Sequence, residues 1–158
     1  MDKINEILSN GRYKKLLLEL ENLEKERVFC RHNLSHFLDM ARIAYIICLE
    51  KNLSYSKDVI YAISLLHDIG RGEQYKNNIP HDEASVKIAK EILQETSYTL
   101  EEMELILKGI DGHRNKENEN EFFKIIYEAD KISRNCFQCK AEKDCYWSNE
   151  KKNMIIKY

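Results

Sequence analysis

The sequence contains few residues that interrupt helices, with one proline, Pro80, and five glycines among 158 residues. Proline and glycine are the residues that most often end helices and mark turns. No apolar run approaches the roughly 20 residues that a membrane-spanning helix needs. The first residues also lack the apolar segment and cleavage site of a signal peptide. We therefore expect a helical protein of the cytoplasm that is not anchored in a membrane.

The net charge is small, at −2, with 33% charged and 43% hydrophobic residues. This balance is typical of a globular protein and argues against a general nucleic-acid-binding surface. A chain of this length can bury a core without disulfides. We expect one domain over residues 1–158, with a core at about 30–135, an N-terminal helical extension and a Cys-rich tail at 136–158. The sequence leaves the oligomeric state open, a dimer included.

Apolar residues recur at helical spacing along most of the chain, and no alternating strand pattern is found. The pattern predicts an all-α bundle of about six or seven helices. The segment from Ser56 to Asp68 is apolar nearly all round, which predicts the central helix. Thr99 and Glu102 have the spacing of a capping box, and Asp82 is suited to be a helix N-cap. The other predicted helices cover 12–29, 33–51, 82–95 and 122–133, and residues 71–80 are predicted to form a polar loop.

Four of the five histidines and two aspartates form an ordered set of candidate metal ligands. Imidazole and carboxylate groups bind divalent first-row metals such as Fe, Mn, Ni and Zn. The adjacent pair His67-Asp68 ends the apolar segment, where burial costs free energy unless a cation compensates. One such histidine alone is more often a packing residue, so the prediction depends on the joint pattern. The set is His36, His67, Asp68, His81, His113 and Asp130.

This joint pattern resembles the HD superfamily of metal-dependent phosphohydrolases over roughly residues 30–135. The matching segments are His36 followed by Met40-Ala41, Leu65-Leu66-His67-Asp68-Ile69-Gly70, and Ala129-Asp130-Lys131-Ile132-Ser133. The resemblance implies that His36, His67, Asp68 and Asp130 bind one metal ion. Subgroups with two metals add two histidines, and His81 and His113 occupy those places. His32 could replace His36, support it or contact substrate, since both are predicted on one helix face, and the Met40-Ala41 spacing favours His36.

The resemblance implies that a metal-activated water hydrolyses a small phosphorylated compound. Asp68 would span two ions, while Arg71, Lys131 and Arg134 would hold phosphate oxygens. The substrate classes we expect are nucleotides, dinucleoside polyphosphates and related phosphoesters. The Gly-Tyr-Pro tripeptide of cyclic-dinucleotide phosphodiesterases is absent after His67-Asp68, which weakens that option. Two alternatives stay open: a di-iron HD-type oxygenase, and a non-catalytic metal-binding regulatory module.

The C-terminal tail contains three of the five cysteines, and Cys136 and Cys139 form a Cys-x-x-Cys pair. This spacing is common in structural zinc sites. With Cys145 the tail offers three thiols, and Cys30 is the better candidate for a fourth ligand. Cys48 lies on an apolar helix face, where cysteine is usually a small core residue. A zinc ion, an iron–sulfur cluster or free reduced thiols all fit this pattern.

Overall fold

A computed structural model of the chain describes residues 2–115 and 117–158, and this part of the chain is helical without strands. The all-α prediction is therefore confirmed, although eight α-helices are described where about six or seven were expected. The helices are α1 (Asp2–Ser9), α2 (Gly11–Leu23), α3 (Leu34–Glu50), α4 (Lys57–Leu66), α5 (Arg71–Asn77), α6 (His81–Leu93), α7 (Leu100–Gly112) and α8 (Glu121–Ile132), followed by short 3₁₀-helices at Cys136–Gln138 and Glu142–Asp144.

Helix α4 is the centre of the bundle, as its all-round apolar sequence predicts. It packs against α1, α3, α7 and α8, and seven of its ten residues are buried. The hydroxyl of Ser64, the one polar residue among these seven, donates to the carbonyl of Ile60 at 3.0 Å. The end of α4 is consequently surrounded by other helices, and whatever follows it along the chain enters the interior.

Side-chain caps set where the flanking helices begin. Thr99 and Glu102 form the predicted capping box at α7, with both hydrogen bonds present. Asn33 accepts from the backbone N–H of His36 at 3.0 Å and so starts α3. Asn120 accepts from the backbone N–H of Phe122 at 2.9 Å and starts α8. An accepted N–H satisfies one of the donors that a helix N-terminus otherwise leaves unpaired.

The prediction of a polar loop at residues 71–80 is wrong over most of its length. Residues Arg71–Asn77 form α5, which ends at Asn78 in the left-handed conformation, with φ 55°. Gly72 is the only buried residue of this helix, and its sequence contains no apolar stripe. Hydrophobic periodicity therefore could not indicate it.

Two predicted helix ends also differ from the structure. Helix α2 was expected to continue to residue 29, but it ends at Leu23, and the next side chain, Glu24, is buried and contacts the ring of His32. Asp82 was expected to be an N-cap, but Pro80 occupies that position and α6 begins at His81. Proline suits a helix start because its φ is already fixed and it has no N–H to satisfy.

Gly70 allows α6 to approach the turn that follows α4. A Cβ atom at this position would lie 2.4 Å from the backbone nitrogen of Ser85 and 2.6 Å from the carbonyl oxygen of His81. The Gly70 N–H donates to the Ser85 hydroxyl at 2.9 Å. This close contact places the first residue of α6 beside Asp68. Within the described ranges, no helix is long and apolar enough to cross a membrane.

Candidate metal centre

Six side chains from five helices or their ends meet beyond the C-terminus of α4. His67 caps the C-terminus of α4 and Asp68 follows it, with 0% and 2% of their surface exposed. The other helices contribute their ends in the same way, because each starts or stops beside this turn. They bring His36 from the first turn of α3, His81 from the start of α6, His113 from the C-cap of α7 and Asp130 from the last turn of α8. All six predicted candidates are therefore buried in one place.

Backbone carbonyls fix the ring orientation of two of these histidines. The Nδ1 of His67 lies 2.8 Å from the carbonyl oxygen of Ser64, and the Nδ1 of His113 lies 2.5 Å from that of Ile110. A carbonyl oxygen can only accept, so each Nδ1 must carry the hydrogen. In the neutral ring this leaves the lone pair on Nε2, the atom that faces the centre.

Side chains orient two further histidines. The Nδ1 of His36 lies 3.1 Å from the hydroxyl of Ser133, which itself donates to the carbonyl of Asp130 at 2.8 Å. The Nδ1 of His81 lies 3.1 Å from Oε1 of Gln74. Sequence reasoning missed Gln74 because it is on α5, which was predicted as loop. Ser133 could have been found, since it belongs to the Ala-Asp-Lys-x-Ser segment.

The candidate ligands form two groups that share Asp68. One group is His36, His67 and Asp68, and the other is Asp68, His81 and His113; within each group the donor atoms lie within 4.8 Å of one another. Oδ2 of Asp68 lies 3.2 Å from Nε2 of His67. Its other oxygen, Oδ1, lies 3.3 Å from Nε2 of His81 and 3.9 Å from Nε2 of His113. A carboxylate that bridges two metal ions would need one oxygen at each ion, and Asp68 has one oxygen facing each group.

Asp130 lies next to the two histidines of the first group. Its Oδ1 lies 3.2 Å from Nε2 of His36 and 3.7 Å from Nε2 of His67. Its Oδ2 lies 2.5 Å from Nζ of Lys131. One oxygen therefore faces the imidazoles while the other is held by a cation.

Buried donor atoms without hydrogen-bond partners test whether a cation suits this site. Nε2 of His67 and Nε2 of His81 are buried and have no hydrogen-bond partner, and Oδ1 of Asp68 is buried with an ion pair to Arg71 but no hydrogen bond. Leaving a buried polar atom unsatisfied costs about 1–3 kcal/mol. A divalent cation would satisfy all three, and mixed nitrogen and oxygen donors suit first-row transition metals. The residues present therefore fit a divalent-metal site, and their two groups offer places for one or two ions.

The protonation states also suit metal binding. Burial lowers the pKa of His36 to about 3 and that of His81 to about 4, so both rings are neutral at pH 7. Burial opposes ionisation of Asp68 and Asp130, but His67 beside Asp68, and His36 and His67 beside Asp130, outweigh it and hold the pKa of each carboxyl well below its usual range. Burial likewise opposes charge on His67, yet the two carboxylates raise its pKa to about 9. A cation in this place would replace the proton on His67.

His32 does not share a helix with His36, contrary to the prediction. It precedes α3, because that helix begins at Leu34. Glu24 accepts from the His32 backbone N–H at 2.5 Å and contacts the ring Nδ1 at 2.6 Å. Tyr75 donates to the same carboxylate at 2.6 Å. Nε2 of His32 then lies 3.5 Å from Oδ2 of Asp68, so His32 lies beside the two groups and belongs to neither.

The three cations predicted to bind phosphate all lie at this site. Nε of Arg71 forms an ion pair with Oδ1 of Asp68 at 2.8 Å, and Lys131 pairs with Asp130. A guanidinium N–H of Arg134 donates to Nε2 of His36 at 2.8 Å. This contact requires an unprotonated Nε2, which agrees with the lowered pKa of His36.

A cavity of about 640 Å³ opens beside the two aspartates. Its lining combines cationic and aromatic side chains, among them Arg71, Lys131, Arg134, Tyr127 and Trp147. The four predicted tail and loop cysteines line a neighbouring cavity of about 300 Å³. Cys48 is instead buried in the core on α3, as predicted.

Comparison with known proteins identifies the family. The family model described as the HD domain matches residues 33–135. An uncharacterized protein of Clostridium beijerinckii (strain ATCC 51743 / NCIMB 8052) is 49% identical over 158 residues, covering 100% of both chains. No solved structure matches. The family match covers the segment that contains all six buried histidines and aspartates of the two groups, and the chain belongs to the HD domain family.

Proposed function

We propose that this protein is a metal-dependent phosphohydrolase that acts on a nucleotide, a dinucleoside polyphosphate or a related small phosphoester. One observation carries the proposal. Two His/Asp groups share Asp68, and Asp68 lines a cavity whose walls also contain Arg71, Lys131 and Arg134. Membership of the HD family, whose members are typically metal-dependent phosphohydrolases, supports the same reaction class.

The metal, when bound, supplies a Lewis acid that lowers the pKa of a water and polarises a phosphoryl oxygen. The remaining work belongs to side chains of this chain. Arg71, four-fifths buried and paired with Asp68, presents a planar fork to non-bridging phosphate oxygens. Lys131 adds a second positive charge, next to Asp130. Both cations offset negative charge that accumulates on the phosphoryl group in the transition state.

The cavity also suits a substrate with a planar base. Its volume of about 640 Å³ falls within the range of ligand pockets. Tyr127, Tyr146 and Trp147 line it together with Arg71 and Lys131, so a base could stack on an aromatic ring while the phosphates bind the cations. This combination of aromatic and cationic side chains supports a nucleotide over a simple sugar phosphate.

The chain offers a matched pair of variants for the test, because it contains two His-Asp dipeptides. Asp68→Ala removes the carboxylate shared by both groups. Asp82→Ala changes a residue in the first turn of α6 that pairs with Arg114 at 3.5 Å. Each variant would be assayed with Mn²⁺, Fe²⁺, Ni²⁺ or Zn²⁺ against p-nitrophenyl phosphate, nucleoside mono- and triphosphates and diadenosine tetraphosphate.

We expect Asp68→Ala to lose metal and at least about a hundredfold in turnover, since even residues that only support metal ligands cost 10–100-fold. Asp82→Ala should keep both. Hydrolysis that survives Asp68→Ala would contradict the site assignment. Metal binding without turnover of any of these compounds would favour the regulatory module, and oxygen consumption with an organic substrate would favour the di-iron oxygenase.

A further inference from the structure

The fold brings Cys30 close to three cysteines that lie more than 100 residues later in the sequence. Cys30 lies in the loop before α3, whereas Cys136, Cys139 and Cys145 lie in the tail. All four line one cavity of about 300 Å³, together with Trp147. Four thiols on one cavity are an unusual concentration for a chain with five cysteines.

Short turns of the tail backbone present its three thiols. The N–H of Cys139 donates to the carbonyl of Cys136 at 3.1 Å, and the N–H of Cys145 donates to that of Glu142 at 3.2 Å. Cys136 begins the first 3₁₀-turn, Cys139 follows that turn, and Cys145 follows the second turn. A Cys-x-x-Cys pair on a tight turn can bind one metal centre with both sulfurs.

The tail has almost no hydrophobic core to hold this arrangement. Among residues 136–158, Cys136 and Ala141 are the buried ones, while Tyr146, Ile155 and Ile156 are mainly exposed. Hydrogen bonds from Asn153 to the carbonyls of Lys131 and Arg134, at 2.6 and 3.0 Å, attach its end to α8. Small segments without a core are usually stabilised by a disulfide or a metal.

Two cations are placed to balance thiolate charge. Arg134 lines the cysteine cavity and acts on the Cys30 thiol, opposing the rise in its pKa that burial and the other three cysteines cause. Lys152 lines the same cavity, 8% exposed, donates to the carbonyl of Glu142 at 2.9 Å and pairs with the Glu142 carboxylate at 2.7 Å. Four thiolates around a dication carry a net charge of about −2, which these two side chains would offset in part.

The sulfur spacing bears on the kind of metal centre. Within residues 2–115 and 117–158, no three cysteine sulfurs lie within 4.8 Å of one another. A tetrahedral zinc ion with Zn–S bonds of about 2.3 Å needs sulfurs roughly 3.8 Å apart. The thiols surround a cavity instead of converging on one point, which favours an iron–sulfur cluster over a single zinc ion.

We propose that Cys30, Cys136, Cys139 and Cys145 bind a thiolate-coordinated metal centre, with an iron–sulfur cluster as the favoured form. The centre would fasten the tail to the loop before α3. It would also fix one wall of the larger cavity, because Cys30, Cys145 and Trp147 line that cavity too. This second consequence rests on the proposed function, whereas metal binding by the cysteines does not.

The first test measures iron, zinc and acid-labile sulfide per chain in the anaerobically purified full-length protein, its Cys139→Ser variant and a Cys48→Ala control. Sulfide belongs to an iron–sulfur cluster and cannot come from the His/Asp centre. We expect sulfide and its matching iron in the wild type and the control, and their loss in Cys139→Ser. One zinc per chain that disappears in Cys139→Ser would retain the four-cysteine site and overturn the cluster.

Thiol titration with Ellman's reagent keeps the proposal testable if Cys139→Ser fails to fold. In the native wild type the four thiols should react only after a chelator is added. Four thiols that react at once, with neither zinc nor sulfide bound, would overturn the site. If turnover is found, Cys139→Ser should raise KM several-fold and leave metal at the His/Asp centre unchanged. An unaltered KM would overturn the link to the cavity wall.

Discussion

Asp68 has neighbours on both of its oxygens, and each oxygen faces a different group of histidines. Oδ2 faces His67, whereas Oδ1 faces His81 and His113. A carboxylate buried to this degree would be expensive without compensation. Arg71 pairs with Oδ1, and a metal centre would add positive charge beside both oxygens. Compensation of this one buried carboxylate therefore bears on both groups.

The histidines of the second group give a direct test of metal number. His81→Ala and His113→Ala each remove one of its two imidazoles, while the first group keeps His36, His67, Asp68 and Asp130. We therefore expect each variant to retain about half of the wild-type metal, measured by elemental analysis after desalting.

His32→Gln is the matched control for this experiment. His32 is as buried as the ligand candidates and lies 3.5 Å from Asp68, but it belongs to neither group. Its replacement should leave the metal content at the wild-type value. Full metal content in both His81→Ala and His113→Ala would mean that these two histidines pack in the interior and do not bind metal.

Glu24 provides a pH-dependent contribution to stability. Burial opposes ionisation of this carboxyl, but His32, Tyr75 and the backbone N–H of His32 outweigh it and lower the pKa from 4.5 to about 2. A lowered folded-state pKa stabilises the fold above the unfolded-state value, and this contribution is lost as pH falls from about 4.5 toward 2. Its full size is on the order of 3 kcal/mol, at 1.36 kcal/mol per unit of pKa.

Glu24→Gln should therefore lower the free energy of unfolding by on the order of 2–3 kcal/mol at pH 7. The difference from wild type should shrink as the pH is lowered from 5 to 3. Urea titrations at several pH values would measure it. A difference that stayed constant over this range would mean that Glu24 acts through packing and not through its charge.

At the scale of elements, helix ends and not helix faces build the site. The six candidate ligands lie in the first turn, the last turn or the cap of their helices, or in the turn that follows. Carbonyl groups near a helix end lose their usual N–H partner four residues on, and those of Ser64 and Ile110 accept from histidine rings. The packing of α6 against the turn after α4 is consequently part of the site.

Gly70→Ala should disturb the packing of α6 against the turn after α4. The new Cβ would meet backbone atoms of Ser85 and His81 that cannot rotate away. We expect a loss of about 3 kcal/mol in stability, together with weaker metal binding because His81 is displaced. Gly11→Ala is the control, since nothing lies within 4 Å of its Cβ position, and it should change stability by less than about 1 kcal/mol. Equal effects of the two substitutions in chemical denaturation would contradict the close approach.

For the whole molecule, metal binding should add to stability without creating the fold. Helices α3, α4 and α7 share a continuous apolar core, so the chain should keep its helical content after treatment with a chelator. A free metal concentration about 100 times the dissociation constant would stabilise the native state by about 2.7 kcal/mol. For a chain of this length, that corresponds to a rise in Tm of roughly 5–10 °C.

Thermal unfolding of chelated protein, with and without added Mn²⁺, would measure this rise. The Asp68→Ala variant should show no metal-dependent change in Tm. Loss of helical circular dichroism on chelation of the wild type would instead mean that the metal is required for folding.

The sequence by itself determined the helical class, the central position of α4 and the identity of the six candidate ligands. These features are local or periodic: an all-round apolar segment must be buried, and histidine and aspartate at its end require compensation. The Ala-Asp-Lys-x-Ser segment and the His67-Asp68 pair belong to the same category, because the residues that define them are adjacent in the chain.

Only the tertiary structure decided how Asp68 divides its oxygens between two groups, that Glu24 and Gln74 support two of the histidines, and that Cys30 meets the tail. None of these contacts has a characteristic spacing in the sequence, so no sequence pattern predicts it. Helix α5 escaped prediction for a related reason: it buries only Gly72, so it leaves no apolar period to detect. Burial of a core requires many apolar residues at regular spacing, and this spacing can be recognised in the sequence. A polar contact between two segments needs only one residue from each, so it is identified only when the packed structure is known.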